Sequence, residues 1–358
     1  MTIDLTKATA LKDKVSELSR TGSLAWYREA QEQGLTLSEY LEKLDPSPRD
    51  DKGSLAVPLD AFERLLYALD LPIAGKNAMT VDEFFVSKGM ILSAELLMRE
   101  IRRGYKMVQD PEELIAVSVP VNGPSVRPIY IKTDNAQKSL ALKEEGAEYP
   151  AVKMAYRDKE LIIKDKGRRF DFTYKLVKNQ KLTEFKNFLW WVGAQIAYDE
   201  IDDIYDIIVN GDGTSGAATD HFNGTPGTLA FSDLVHLASS FTVPAQMTHI
   251  LAAKSDIEVI LNMDEFTNPL AWRETELITR TGDYRSFRPV NAKLVNAPNA
   301  TATKLAALDH RFAIRESVSQ PLMIEAEKVI SQKLESAIVS KESVYSLMVE
   351  EAVGLSDY

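Results

Sequence analysis

Asp199, Asp203 and Asp206 stand at i, i+4 and i+7, with Glu200 and Asp202 beside them, a spacing that gathers carboxylates on one face of a helix. Carboxylates so placed could hold a divalent metal or act as an acid and base. No histidine or further glutamate nearby completes either site, so the face reads as solvated or partner-facing, with a metal-dependent enzyme as the remote alternative. Gly211, Gly213 and Gly216 spell GxGxxG, the pattern in which glycines let a pyrophosphate approach a helix N-terminus. Here the run follows a helix instead of a strand. Its expected job is to stop that helix, with Asn210 and Gly211 in a left-handed cap. The same stretch lacks the distal glutamate of a calcium loop. His221, His236, His249 and His310 show no metal-ligand spacing, and neither a GxSxG elbow nor a GxxxxGK[ST] loop occurs. The absence of cysteine removes disulfides, thiol nucleophiles and thiolate metal sites together. The expectation is therefore no catalytic, cofactor-binding or metal-binding residue, and no enzyme.

The chain has 358 residues, 45% apolar and 27% charged, which is ordinary for one large or two modest globular domains. Its formal charge of −11 repels polyphosphate at long range and argues against a dedicated nucleic-acid binder. Apolar runs such as Phe188 to Ala197 break well before the ~20 residues that span a bilayer. The opening MTIDLTKATALKDK lacks the basic-then-apolar order of a signal peptide, so a cytoplasmic site of synthesis is expected, with no membrane partner.

The elements that must position these residues follow from periodicity. Leu5, Ala8, Leu11, Val15 and Leu18 form one narrow apolar helical stripe. A capping box at Thr36 and Glu39 opens a second helix with Leu37, Tyr40, Leu41 and Leu44, closed by Pro46 and Pro48. Leu59, Phe62, Leu65, Leu66 and Leu69 form a third stripe beyond a polar linker, Asp45 to Gly53. These helices could make a small independent bundle. Their shortness and polar linkers favour an arm that lays its stripes on other copies of the chain. Another capping box, Thr80 and Glu83, precedes a helix begun by Ser93 and ended by Gly104, and β-prone runs then cover Ile115 to Val121 and Ile129 to Ile131.

Residues 148–181 alternate apolar and polar, at Val152, Met154, Tyr156, Leu161 and Ile163 and again at Phe170, Phe172, Tyr174 and Leu176, which predicts a two-stranded hairpin. From residue 152 to residue 181 the hairpin carries ten cations, among them Arg157, Lys159, Lys164, Lys166, Arg168 and Arg169, against four carboxylates. An isolated ribbon is marginal in water and needs something to lie on. The acidic face at Asp199, Asp203 and Asp206, supplied by a neighbouring copy, is the expected partner. That face belongs to a long helix predicted from about Thr183 to Val209, roughly 27 residues or ~40 Å.

A basic hairpin, a long helix ending in Val209-Asn210-Gly211-Asp212-Gly213-Thr214 and then Phe222-Asn223-Gly224-Thr225-Pro226-Gly227 resemble, in that order, the major capsid proteins of tailed bacteriophages. These have the Hong-Kong-ninety-seven-type fold, shared with encapsulin shells. Met90 to Gly104, and Leu308 to Glu316 followed by Leu322 to Val339, resemble further parts of that family, so the likeness covers about Lys88 to Val353. It implies an α+β fold with a peripheral domain in three pieces (88–147, 182–228 with the spine helix, and 319–358), an extended E-loop hairpin (148–181) and an axial domain (229–318); the N-terminal helical arm (1–87), read from its own periodicity, lies outside the likeness. The axial segment agrees on its own periodicity, with short helices at Ser232 to Phe241, Lys254 to Met263 and Pro269 to Thr279, strands at Gln246 to Ala252 and Lys293 to Asn296, and a loop from Trp272 to Arg288.

The resemblance implies a structural protein that assembles as pentamers and hexamers into an icosahedral virion shell around double-stranded DNA, without sequence-specific DNA contact. Its implied partners are itself, a portal, and scaffolding or decoration proteins. It implies assembly in the bacterial host cytoplasm. An encapsulin-like nanocompartment shell is the alternative.

Overall fold

A computed structural model describes residues 6–21, 25–33, 35–49, 55, 59–71, 79–80, 83–84, 92–108, 111–131, 154–173, 182–267, 292–329 and 334–358. The helix and loop expected within 268–291 lie outside the described residues. The chain divides into two compact units. One comprises Met1–Tyr105, Gly167–Ala194 and Met323–Ser340; the other comprises Lys106–Lys166, Gln195–Leu322 and Lys341–Tyr358.

In the first unit, α1 (Thr6–Thr21), α2 (Ala25–Glu32), α3 (Leu37–Leu44) and α4 (Ala61–Ala68) pack on one another. Both α3 and α4 open with reciprocal capping boxes, Thr36 with Glu39 and Asp60 with Glu63. The apolar stripes close inward: Ala8, Val15, Leu37, Leu41, Phe62, Leu65 and Leu66 are buried within this chain. This corrects the expectation that they cover other copies. The small bundle holds because its linker is stapled by a buried guanidinium. Arg64, 3% exposed, donates from Nε to Asp45 Oδ2 (3.0 Å), from Nη2 to the Asp45 carbonyl (2.7 Å), and from Nη1 to Ser47 Oγ (2.8 Å) and the Leu59 carbonyl (3.1 Å). Asp45 and Ser47, in a polar run that looks like a break in folding, thereby become part of the core.

α5 (Ser93–Tyr105) joins the bundle through a polar seam. Glu95 accepts from Ser38 Oγ (2.5 Å), and Arg99 pairs with Asp60 and lies 4.8 Å from the centroid of the Phe62 ring. Gly104, expected to end this helix, lies in its last turn, one residue before its end. A Cβ there would sit 2.1 Å from the Trp190 carbonyl oxygen, and one at Gly193 would sit 2.0 Å from the Ile101 carbonyl oxygen. Trp190 and Gly193 belong to α6 (Leu182–Asn210), 29 residues long and close to the predicted span. The two helices touch backbone to backbone, and only glycine allows it.

The second unit is built on a sheet of order β12-β9-β7-β8, with β7 (His249–Ala252), β8 (Lys293–Asn296), β9 (Lys304–Leu308) and β12 (Val353–Asp357). Alternation gives each strand two buried faces. Ile250, Leu294, Leu305 and Ala307 join one core with Leu234 and Leu237 of α7 (Phe231–Ser239) and Ile257 and Ile260 of α8 (Lys254–Leu261). Leu251, Val295, Ala306, Leu308 and Leu355 join the other, with Ile201, Ile204 and Ile208 of α6. Burial on both faces explains the near-continuous apolar runs.

A second four-stranded sheet has the order β1-β10-β11-β6, from β1 (Ile115–Pro120), β6 (Lys164–Thr173), β10 (Ile314–Val329) and β11 (Leu334–Leu347). Two ribbons complete the described strands: β2 (Ser125–Val126) with β5 (Leu161–Ile162), and β3 (Ile129–Ile131) with β4 (Met154–Tyr156). Within the expected hairpin, residues 154–173 form strands as expected, but among the described residues these strands do not pair with each other. β4 and β5 pair back onto 125–131, and β6 pairs with β11.

Two substitutions test these constraints. Gly193→Ala forces the α5 and α6 backbones apart and is expected to cost about 2 kcal/mol or more in chemical denaturation, whereas Gly216→Ala, with open space at its Cβ, stays within experimental error. Asp45→Ala leaves the Arg64 guanidinium buried without its carboxylate, with an expected loss of about 3–5 kcal/mol on the same measurement.

Candidate interaction surface

The cations singled out in the sequence fall on two different supports. Arg157, at the end of the β3–β4 ribbon, is held firmly: its amide donates to the Pro128 carbonyl (2.9 Å), its Nη1 reaches Glu350 Oε1 (2.7 Å), and its guanidinium lies 4.3 Å from the centroid of the Tyr130 ring. Lys159 is exposed on the turn that follows. Lys164, Lys166, Arg168 and Arg169 are exposed along β6, an edge strand of its sheet, and charge there blunts edge-to-edge pairing.

Lys166 is ion-paired with Asp203 of α6 in the same chain. Basic strand and acidic helix face thus do meet, and the pair that meets is internal. Both partners are partly exposed, so the pair contributes roughly 0–1 kcal/mol and is screened by salt. Asp206 accepts from Asn210 Nδ2 (2.6 Å), and Asp199 is half-buried on the same face. Asp202 receives two hydrogen bonds from Asn299, at 3.1 and 2.7 Å. Burial raises its pKa, and the Asp199 and Asp203 charges push the same way against those hydrogen bonds. Among the described residues, no three or more histidine and carboxylate side chains are grouped to hold a metal. No described helix is long and apolar enough to cross a membrane.

Sequence reasoning missed the buried ionic cluster beside this face. Lys341 of β11 reaches Glu200 Oε1 of α6 (2.7 Å) and lies 2.8 Å from Glu316 Oε1 of β10. Glu316 in turn accepts from Ser118 Oγ of β1 (2.8 Å). Burial alone would lower the Lys341 pKa, but the two carboxylates outweigh it and raise it. Four elements are thus tied through one ammonium. The available signal was Glu200 itself, a carboxylate beside Ala197 and Ile201 on the apolar side of the helix.

The glycine-rich run does what its position after a helix requires. Gly211 and Gly213 have φ of +85° and +86°, and the Gly211 amide donates to the Ile207 carbonyl (2.9 Å). Asp212 then accepts from the amides and hydroxyls of Thr214 and Ser215 through Oδ1 and from the Leu347 amide through Oδ2. Burial opposes its charge, but these hydrogen bonds prevail and hold its carboxyl below the usual range.

Two histidines far apart in sequence meet in the fold. The rings of His249 and His310 stand edge to face at 5.4 Å, and both Nδ1 atoms lie near Thr248 Oγ1, at 2.9 and 3.1 Å. His249 is 3% exposed and its Nε2 has no partner among the described residues. Burial, then the neighbouring His310 and Lys293 charges, push its pKa down to about 4, against Glu113 and Asp309.

No family model matches the chain, and no curated protein matches it by sequence. Solved structures do. The virus-like particle from Pyrococcus furiosus superposes with a TM-score of 0.50 over 74% of this chain and 99% of that one, at 12% identity. A phage-related protein from Bordetella bronchiseptica RB50 gives 0.49 over 72% and 95%, at 10% identity. The capsid of an empty GTA particle gives 0.47 over 70% and 91%, at 12% identity. At such identities the likeness is one of fold, and the fold is the mixed α+β, capsid-type architecture expected from the sequence.

The buried histidine makes acid stability testable. A folded-state pKa of about 4 lies below the ordinary 6.5, so the stabilisation is complete above pH 6.5 and is lost as pH falls from there to about 4. The loss is at most about 3 kcal/mol. Urea denaturation across that window should show a steeper fall for the wild type than for His249→Leu.

Proposed function

We propose that this chain is a structural shell protein, a major capsid protein of the tailed-phage type that self-assembles into a closed particle. The observation that carries the reading is the superposition with the virus-like particle chain over 99% of that chain's length. The order of motifs in the sequence supports it, with the glycine-rich stop after the long helix in the place the resemblance assigns to it. On this reading α6 is the spine helix, 229–318 the axial domain, and 148–181 the reaching segment. The cations Lys159, Lys164, Arg168 and Arg169, with Asp199 and Asp206, remain the candidates for contact between copies. Arg157, Lys166, Asp203 and Asp206 are engaged at least partly within the chain, and Arg168, Arg169 and Asp199 also have interactions there.

The role is one of broad surface complementarity, with no catalytic step assigned to any residue. Pentamers and hexamers, a portal, scaffolding or decoration proteins, enclosed double-stranded DNA and assembly in a bacterial host belong to the phage form of the reading. The likeness to a virus-like particle favours a second form, a compartment shell with protein cargo. Electron microscopy of the purified protein is expected to show closed shells of uniform size. Monomers or dimers alone at micromolar concentration across a salt series, by analytical ultracentrifugation, would overturn both forms. Nucleic acid or protein recovered from particles made in the native host separates the two.

A further inference from the structure

Three Asn-Gly dipeptides occur in the chain, Asn122-Gly123, Asn210-Gly211 and Asn223-Gly224. Each glycine is required by its surroundings. Gly123 and Gly211 have φ of +133° and +85°, and a Cβ on Gly224 would sit 2.7 Å from Asp233 Oδ2. Asp233 cannot move aside freely, because the same Oδ2 accepts from the Ala230 amide (2.9 Å) at the start of α7. The fold therefore keeps, after each of these asparagines, the residue that least hinders attack on the preceding side chain.

Their settings differ sharply. Asn210 ends α6: its Nδ2 donates to Asp206 Oδ1 (2.6 Å), and the amide of Gly211 donates to the Ile207 carbonyl (2.9 Å). The nitrogen that would attack is occupied, and helical geometry holds it away from its own side chain. Asn122 and Asn223 are exposed, outside helices and strands. Among the described residues, the amides of Gly123 and Gly224 have no hydrogen-bond acceptor, and neither asparagine side chain is held.

We infer that Asn122 and Asn223 are sites of spontaneous self-modification, while Asn210 is protected by the fold. The Gly224 nitrogen bonds to Asn223 Cγ as the Cγ–Nδ2 bond breaks, and ammonia leaves with the amide proton. Water then opens the resulting succinimide on either side, giving aspartate or isoaspartate. The same steps apply at Asn122. Each event adds one negative charge to a chain already at −11. At Asn223 the new carboxylate, or the extra backbone methylene of isoaspartate, arises next to the Asp233 carboxylate that caps α7.

The test is a time course of the full chain in mildly alkaline buffer, read by peptide mass spectrometry and by methyl transfer from an isoaspartyl methyltransferase. The peptides holding Asn122 and Asn223 are expected to convert about tenfold or more faster than the Asn210 peptide, which reacts only when the helix end opens. In denaturant the three rates should converge. Asn223→Gln should remove the label from its own peptide and leave that of Asn122 unchanged. Equal native rates at Asn210 and Asn223, or conversion of the exposed pair only after unfolding, overturns the inference. Running the series on assembled and dissociated protein separates this outcome from that of the shell reading, since the dissociated chain must still convert.

Discussion

A helix that is apolar on more than one face cannot be left half-covered, and α6 imposes that requirement on everything around it. Its early buried positions are Phe185, Leu189 and Val192; its later ones are Ala197, Ile201, Ile204 and Ile208. At 3.6 residues per turn the second set falls roughly a third of a turn round from the first. The covering of the first half needs α5 at backbone distance, hence glycine at both 104 and 193. The covering of the second half needs an apolar sheet face, which Leu251, Val295, Ala306 and Leu308 supply. That sheet then has an opposite face, also apolar, and α7 and α8 answer it. Much of the packing within each unit follows from one helix whose buried face turns along its length.

Charges taken into this interior are bound at several points each, as the cost of burying them demands. Arg64 satisfies a carboxylate, a hydroxyl and two carbonyls. Asp309, wholly buried, accepts from the Gln246 amide and from the backbone and guanidinium of Arg311. Lys341 bridges two carboxylates. These groups do what apolar contacts cannot, because their geometry accepts one register only. A slip of β10 against β1 by one residue would carry Glu316 away from Ser118 and turn it to the other face.

What could be read from the sequence, and what could not, divides along the same line. The long helix was legible because its apolar repeat is sustained far beyond what a strand could carry, and the capping boxes at Thr36 and Thr80 are local chemistry complete within four residues. The β10–β11 ribbon was not, because its buried positions include Glu316, Ser317 and Ser343, so alternation of apolar and polar residues does not mark its inner face. Gly104 has a second role that its position did not show: a glycine near the end of a stripe is the same signal whether it stops a helix or lets another helix touch it. Strand partners were the least accessible. β6 and β4 alternate as strands must, but nothing in that alternation says that one pairs with β11 and the other with β3. The proposed surface residues show the same limit, since spacing put Asp203 on an acidic helix face and charge suggested a cation for it from a neighbouring copy, while its pairing with Lys166 of the same chain is a fact of tertiary structure.

The β2–β5 and β3–β4 ribbons pose the remaining physical question. Strands of two or three residues do not stand alone in water. Arg157 supplies much of their anchorage, through a carbonyl, an aromatic face and Glu350, and Leu161 is buried beneath. Beyond that anchor Tyr156 and Ile162 are 67% and 74% exposed. Single exposed apolar residues are ordinary. One on each of two narrow ribbons, beside exposed cations and the anchored Arg157, is the arrangement of segments that complete their burial elsewhere. Under the shell proposal that burial is against another copy, and it explains why a chain that packs its interior so tightly leaves these ribbons bare.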